Sequence, residues 1–404
     1  MKYTVLIIYI FFAIFFSKRT FSQSINELSR STNRFAFSLY EKVIEKKNSN
    51  IFFSPIGLST AFAQVYIGSK NKTKDEIANL FGFNNSLVEF PNEFLVFSNQ
   101  LFSPEANSII ELLNANSVWV NNKFELKPEF AKSLKDNFNS MVFTLDVSKP
   151  SECADQVNAW VKNSTSDKIN TIISEKNIEP ETVFLLLNSL YFKDKWLNTF
   201  DEKNTREDMF SVSASEKVKT QMMNTQGDYN YSKYYNYDAL QIPYTTNNYS
   251  MLILLPKDVS GIYELEQNLD SIDIDFILSD LKKNSINISL PKFKLEYEVN
   301  VLKEMLTKLG IKQAFEKSKA EFGGIIKEVP GLNFYISDVL QKTFVEVNEE
   351  GTEATATTMI KVSNFRGSRP DPIIFRVDHP FLFFIVEESA KCILFMGKCL
   401  NPVE

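Results

Sequence analysis

The feature that most limits the fold of this chain is a Glu-, Thr- and Ala-rich stretch near its C-terminus, NEEGTEATATTMIKVSNFRG (348–367). Its composition alone is typical of a flexible linker, because small and acidic residues cannot build a hydrophobic core. However, only about forty residues follow it, which is too few for a second domain of ordinary size. We therefore predict an internal loop of a single domain.

The same stretch also has the pattern of a β-strand, in which successive side chains point to opposite faces of a sheet. One face would be small and largely apolar and the other polar: Thr352, Ala354, Ala356 and Thr358 against Glu353, Thr355 and Thr357. From Thr352 to Phe365 there is no proline, so every amide could join a β-ladder, whereas Pro370 and Pro372 end that capacity. Fourteen residues in β geometry span about 46 Å. We interpret the loop as a strand held in reserve for a large sheet.

The N-terminus has the pattern of a secretory signal. Lys2 precedes an apolar run from Val5 to Phe16, and the small residues Thr20 and Ser22 fit a cleavage site. The run is shorter than the roughly 20 apolar residues that span a membrane. We predict a signal peptide over 1–22, a secreted single domain over 23–404 and no membrane attachment after cleavage. An uncleaved anchor is the less favoured alternative.

Charge and cysteine content limit which partners and which sources of stability are possible. Removing 1–22 takes away three basic residues and no acid, which moves the net charge from −6 to −9 and disfavours nucleic acid as a partner. The three cysteines are Cys153, Cys392 and Cys399. On one extended strand Cys392 and Cys399 would lie about 23 Å apart, beyond disulfide reach. At least one thiol is therefore predicted to be free.

Six sequons fit a secreted glycoprotein: Asn71, Asn84, Asn163, Asn230, Asn248 and Asn287. Asn287 is the least favoured acceptor, because it lies in a run with the composition of a strand.

Enzyme chemistry has little support in the sequence. Hydrolase triads and typical zinc sites use histidine, and the single one here, His379, precedes a proline and suits a structural hydrogen-bonding role. No HExxH, paired CxxC, GxSxG, P-loop or GxGxxG motif occurs. We predict no catalytic residue of its own, no cofactor and no metal, with a carboxylate-only hydrolase as the alternative.

Apolar periodicity predicts an α+β class. Apolar residues recur at helical spacing over Glu27–Lys47 and again over Leu302–Leu309. Gly310 would end the second of these helices. Runs of β type occur in the second half: Val183–Phe192, Ser250–Leu255, Phe381–Val386 and Ile393–Met396. Helices therefore dominate early and strands late, which favours large, mostly antiparallel sheets.

Seven segments, in order along nearly the whole mature chain, resemble the serpins: NIFFSPIGLSTAF (50–62), NAWVKNST (158–165), LNSLYFKDKW (187–196), LPKFKLEYE (290–298), VNEEGTEATATT (347–358), DHPFLFFI (378–385) and LFMGKCLNP (394–402). The resemblance implies a serpin fold, with three β-sheets, eight or nine helices and an exposed reactive-centre loop over about 349–372. It also implies a monomer that traps an extracellular serine protease covalently. In that mechanism the protease attacks the loop, and the cleaved loop inserts into the central sheet before the acyl-enzyme hydrolyses.

The resemblance also assigns site residues. The hinge falls on Glu349, Glu350, Gly351, Thr352, Glu353, Ala354, Thr355, Ala356, Thr357 and Thr358. Lys292 would pair with Glu349 beside Trp196 where the sheet opens. Ser54 and Asn188 match the hydrogen-bonding group beneath the sheet that controls opening. Gly57 departs from the family there by replacing a common serine, and Gln341 by replacing a common histidine.

Family spacing from the hinge glycine places the scissile residue at Phe365, which implies a chymotrypsin-like target with a hydrophobic primary pocket. A shift by one would present Arg366 to a trypsin-like protease, and Arg369 is a remoter choice. Residues 84–100 contain no Lys or Arg, so heparin activation through a basic helix there is not expected. The remaining alternative is a non-inhibitory serpin that acts as a carrier or binding protein.

Overall fold

The computed structural model describes residues 24–45, 49–83, 90–102, 110–246, 248–299, 301–352 and 371–404. Within these ranges the chain forms nine α-helices: α1 (24–44), α2 (Pro55–Tyr66), α3 (Asn71–Phe81), α4 (Phe90–Phe102), α5 (Pro128–Phe138), α6 (Pro150–Ser164), α7 (Gly261–Gln267), α8 (Ile274–Asp280) and α9 (Leu302–Lys308). It also forms fifteen strands: β1 (Ile51–Phe53), β2 (Glu111–Asn121), β3 (Met141–Leu145), β4 (Phe184–Lys195), β5 (Arg206–Ser211), β6 (Lys217–Lys233), β7 (Tyr237–Pro243), β8 (Tyr249–Pro256), β9 (Lys282–Pro291), β10 (Phe293–Glu298), β11 (Asp338–Val347), β12 (Gly351–Thr352), β13 (Ile373–Arg376), β14 (Phe381–Glu387) and β15 (Cys392–Cys399).

The smaller sheet has six strands in the order β10-β11-β12-β4-β2-β3. Its two central strands, β4 and β11, also pair directly and in parallel from Asp338 opposite Leu185 to Phe344 opposite Tyr191. This contact is the β4–β11 seam. Because the two strands are parallel and far apart in sequence, no hairpin holds them together.

The two faces of the smaller sheet bury different partners. Along β4, Leu186, Leu190 and Phe192 join the large core with the helix α2, whereas Leu187 and Tyr191 join a second cluster under α6. This division follows from the two-residue period of the strand. Helix α6 begins at Pro150, which suits the first turn of a helix because proline lacks an amide hydrogen. A strand entering the seam would therefore lie between the large core and α6.

The larger network has the order β1-β15-β14-β8-β7-β6-β9-β13, with β5 on the side of β6. The 17-residue strand β6 pairs with β9 over Met222–Tyr231 and with β7 over Asn230–Lys233. The resemblance implies two separate sheets here, but β6 joins them into one continuous ladder. The α+β class and the serpin architecture predicted from the sequence are confirmed.

Cys153, Cys392 and Cys399 are all free and buried, which confirms the prediction of at least one free thiol. No helix in the described ranges has the length and apolar character needed to cross a bilayer. The predicted signal peptide, 1–22, lies outside the described residues.

Four of the predicted glycosylation sites have exposed or accessible surroundings: Asn71 begins α3, Asn163 lies on α6, Asn230 on β6 and Asn248 before β8. Asn84 lies outside the described residues. Asn287 is half-buried and pairs on one side with Gln226 and on the other with Ile374. A strand position paired on both sides leaves little access for a glycan.

Candidate loop-insertion site

The start of the predicted hinge already lies inside the smaller sheet. Gly351 and Thr352, which form β12, pair antiparallel with Lys195 and Asp194 of β4, and Thr352 also pairs with Val347 of β11. Direct pairing of β4 with β11 resumes at Phe344. The seam is thus open at its hinge end, where two hinge residues fill it, and closed beyond them.

Thr352 is fully buried in this arrangement. The Thr352 hydroxyl lies 2.7 Å from the Tyr244 hydroxyl. Tyr244 stacks on Trp196 with ring centroids 4.6 Å apart. Burial raises the pKa of Tyr244 well above its usual range, so the ring carries a neutral hydroxyl that can donate or accept. A polar partner at the base of the seam therefore holds Thr352 before any cleavage.

Gly351 is needed for close approach to β4. A Cβ atom at this position would lie 2.1 Å from the backbone oxygen of Asp194 and 2.6 Å from the Cα of Lys195. Neither contact involves a side chain that could move aside. The structure therefore shows that no other residue fits beside β4 in this position.

The predicted ion pair is present. Lys292 Nζ lies 2.8 Å from Glu349 Oε2, and the Thr205 hydroxyl donates to Glu349 Oε1 at 2.8 Å. Burial opposes ionisation of Glu349, but these hydrogen bonds outweigh it and hold the pKa of its carboxyl below the usual value. The Glu349 side chain is 7% exposed and that of Lys292 is 40% exposed, so the carboxylate lies inside and the ammonium at the rim.

Trp196 fixes the backbone that leads into the hinge. Its indole Nε1 donates to the Asn348 carbonyl at 2.9 Å, and its amide donates to the Glu350 carbonyl at 2.8 Å. Lys195 adds an ion pair to Glu350 at 3.3 Å. The contacts of Trp196 therefore include two main-chain hydrogen bonds that the sequence comparison did not suggest.

The residues predicted to control opening also meet, at mid-seam. Ser54, Asn188 and Gln341 are all buried and joined by hydrogen bonds. The Ser54 hydroxyl also accepts from the Gly57 amide at 3.0 Å, which caps α2. Gln341 thus takes a full place in this group although the family commonly has histidine there.

The rest of the predicted loop lies outside the described residues: Glu353, Ala354, Thr355, Ala356, Thr357, Thr358, Phe365, Arg366 and Arg369. The chain beyond it is anchored by β13, which pairs with β9. His379 follows, with Nδ1 2.9 Å from Asp378 Oδ1 and Nε2 2.9 Å from the Pro256 carbonyl. Both ring nitrogens are engaged, as expected for a structural role. Among the described residues no group of His, Cys, Asp and Glu is arranged to hold a metal ion.

Tyr244 and Thr205 are site residues that sequence reasoning missed. Tyr244 is separated from Thr352 by 108 positions and Thr205 from Glu349 by 144. No local pattern links residues at such separations. The segment after β7, YTTNNYS (244–250), has the composition of a turn and does not otherwise indicate a contact with the hinge.

Comparisons with known proteins agree with this geometry. The family model described as serpin (serine protease inhibitor) matches residues 30–402. Iripin-2 of Ixodes ricinus is 34% identical over 381 residues, which cover 92% of this chain and 93% of that protein. The crystal structure of Serpin48 from Tenebrio molitor superposes with a TM-score of 0.82 at 30% identity, covering 93% and 98% of the two chains. Human thyroxine-binding globulin superposes with a TM-score of 0.85 at 27% identity, covering 94% and 100%. With a family model that spans most of its length and a hinge seated between β4 and β11, this chain belongs to the serpin family.

Proposed function

We propose that this protein is a secreted inhibitor that traps a serine protease as an acyl-enzyme and inserts its cleaved loop into the β4–β11 seam. The observation that carries the proposal is that Gly351 and Thr352 pair with β4 and that Thr352 pairs with β11 as well. Those two residues are the first two positions of an added strand. The remaining positions need only continue the same ladder.

The register of that ladder follows from β12. Thr352 lies opposite Asp194 on β4 and Val347 on β11. An antiparallel strand moves one residue down each neighbour for every residue added. Thr358 would therefore lie opposite both Asn188 and Gln341, which are themselves partners in the closed seam. The two neighbouring strands thus give the same register, which supports insertion without a bulge.

The inward face of the inserting strand would meet the large core. In this register Ala354 falls between Phe192 and Val345, and Ala356 falls between Leu190 and Thr343. All four of these β4 and β11 residues are buried. A larger side chain would have to displace a packed core, at a cost of roughly 1–3 kcal/mol or more. The small residues of the loop are therefore suited to rapid entry.

The chemistry belongs to the protease. Its serine oxygen would attack the carbonyl carbon of Phe365, and the bond to the Arg366 nitrogen would break as that nitrogen takes a proton from the protease histidine. The segment from Arg366 onward would be the amine product of this cleavage. It would stay bound to the rest of the protein through β13. The acyl bond would remain to Phe365 while the loop enters the seam, and distortion of the protease would prevent attack by water.

Phe365 is the preferred scissile residue because of its distance from Gly351, and it selects a protease with a hydrophobic primary pocket. Arg366 would instead select a protease with an acidic pocket. The bonds after these two residues are adjacent, so both target classes need testing.

The test mixes the purified secreted protein with chymotrypsin and, separately, with trypsin. We expect an SDS-stable complex with chymotrypsin and a released C-terminal fragment that starts at Arg366. A fragment that starts at Gly367 in a complex with trypsin would move the scissile residue to Arg366. Cleavage without a complex by a panel of serine proteases of both classes would contradict the inhibitor proposal.

A carrier is the second candidate, favoured by the similarity to thyroxine-binding globulin, whose structure is of its complex with thyroxine. A carrier would be cut in the loop without trapping the protease. The gain in thermal stability after cleavage then shows whether the seam still accepts the strand.

A further inference from the structure

The closed part of the seam is held by side chains as well as by backbone. Gln341 Nε2 donates to Asn188 Oδ1 at 2.9 Å and to the Ser54 carbonyl at 2.8 Å, and Gln341 Oε1 accepts from the Ser54 amide at 3.0 Å. The primary amide of Gln341 therefore uses both of its hydrogens and its oxygen. Its bond to Asn188 crosses directly from β11 to β4. A strand that enters the seam must break this bond, because it adds a spacing of about 4.8 Å between the two strands.

Asn188 is held from the other side as well. Its Nδ2 donates to Asn116 Oδ1 at 3.0 Å and lies 3.2 Å from Asn114 Oδ1, both on β2. A row of amides thus runs across the sheet from β2 through β4 to β11. The orientation of the Asn188 side chain is fixed by partners at both ends.

That orientation is possible only because position 57 has no side chain. A Cβ atom on Gly57 would lie 2.0 Å from Asn188 Oδ1 and 2.6 Å from Asn188 Cγ. Gly57 lies in the first turns of α2, where an ordinary residue would suit the backbone. Alanine is the better helix former there. Space for Asn188 is therefore the structural reason for this glycine.

We infer that Gly57 and Gln341 are a matched pair that sets the resistance of the seam to strand insertion. Gly57 makes room for Asn188, and Gln341 holds Asn188 in that room. The inference rests on the proposed function, since this resistance matters only if a strand inserts. It explains with one contact both positions at which this chain departs from the family pattern. It also requires that the two positions depend on each other, because Gln341 donates the hydrogen bond that keeps Asn188 Oδ1 beside position 57, and without it the side chain keeps only the contacts of Nδ2 to β2.

The test measures how fast a synthetic peptide with the sequence of residues 353–363 enters the intact protein, followed by the rise in melting temperature. We expect Gly57→Ala and Gln341→Leu each to speed entry by about tenfold or more, because each destabilises the closed seam. In the double variant, Gly57→Ala should add less than about threefold to the effect of Gln341→Leu. Gly323→Ala is the matched control, because a Cβ at Gly323 meets no atom within 4 Å.

The inference is overturned if Gly57→Ala matches Gly323→Ala, or if the two single effects multiply in the double variant. If Gln341→Leu does not fold, Asn188→Ala replaces it, and Gly57→Ala should then have no further effect. If no peptide enters any variant, the insertion proposal fails. The melting temperatures of the same proteins then decide the inference separately: non-additive losses support the matched pair and additive losses overturn it.

Discussion

The hinge end and the middle of the β4–β11 seam are closed in different ways. At the hinge end the protein's own Gly351 and Thr352 separate the two strands, and the contacts that hold them include a partly exposed lysine, Lys292. In the middle the strands pair directly, and the buried amides of Asn188 and Gln341 bridge them.

The difference locates the resistance to insertion. Gly351 and Thr352 already fill the first two positions of the proposed added strand, so entry would not have to begin by parting the strands. Glu353 and Ala354 would enter beyond the last direct pairing of the two strands, each residue from Thr355 onward would have to break a main-chain pairing, and Thr358 would also have to replace the bridge between Asn188 and Gln341. In the proposed mechanism the hinge end therefore sets where insertion would start, and the middle of the seam sets how readily it would proceed.

The largest expected effect comes from a charge at the boundary between the two regions. Thr352→Arg places an unpaired charge at a fully buried position beside Tyr244, which costs several kcal/mol. We expect the protein to become a substrate that is cleaved without trapping the protease. Thr352→Ser keeps the hydroxyl and should keep the SDS-stable complex. Undiminished trapping by Thr352→Arg would contradict the insertion mechanism.

Gly351→Ala should empty the hinge end without touching the middle. The added Cβ would overlap the backbone of Asp194, so the hinge residues should leave the sheet, with a loss of about 1–3 kcal/mol in the free energy of unfolding. Amide hydrogen exchange at residues 349–352 would show the release. Protection equal to that of the unmodified protein would mean that β4 yields at this point.

Tyr244→Phe removes a single hydrogen bond from the hinge end while it keeps the stack on Trp196. We expect a loss of about 1 kcal/mol in stability and faster exchange at Thr352. Tyr235→Phe serves as the control, because Tyr235 is 96% exposed. Equal behaviour of the two variants would show that the buried hydroxyl does not hold the hinge.

The smallest effect concerns pH. The folded-state pKa of Glu349 lies below its ordinary value, so its stabilising contribution is present above about pH 4.3 and is lost as the pH falls through the depressed value. Lys292 is partly exposed, which limits the pair to about 1 kcal/mol or less. The protection of the hinge amides, taken relative to the intrinsic exchange rate at each pH, should fall on acidification, and Lys292→Met should flatten that profile. An unchanged profile in Lys292→Met would assign the stabilisation to Thr205 instead.

Much of the fold was readable because its signals are local. The helix predicted over Glu27–Lys47 occurs over 24–44, and the predicted runs Ser250–Leu255, Phe381–Val386 and Ile393–Met396 lie in β8, β14 and β15. The seam itself was not readable in this way, because β4 and β11 are separated by long stretches of chain and their parallel pairing leaves no turn signal. The resemblance supplied Ser54, Asn188, Lys292 and Trp196 as neighbours, but their hydrogen-bond partners came from the structure.

The sequence by itself determined the parts of the function that depend on residue type along one segment. A single histidine argues against a catalytic triad, and the alternating small residues without proline from Thr352 to Phe365 permit a new strand. The tertiary structure decided what depends on distance across the fold. It alone shows why Gly351 and Gly57 must be glycine, since the atoms that exclude a Cβ belong to Asp194 and Asn188. Local composition cannot encode such contacts, because they exist only once distant strands and helices have packed.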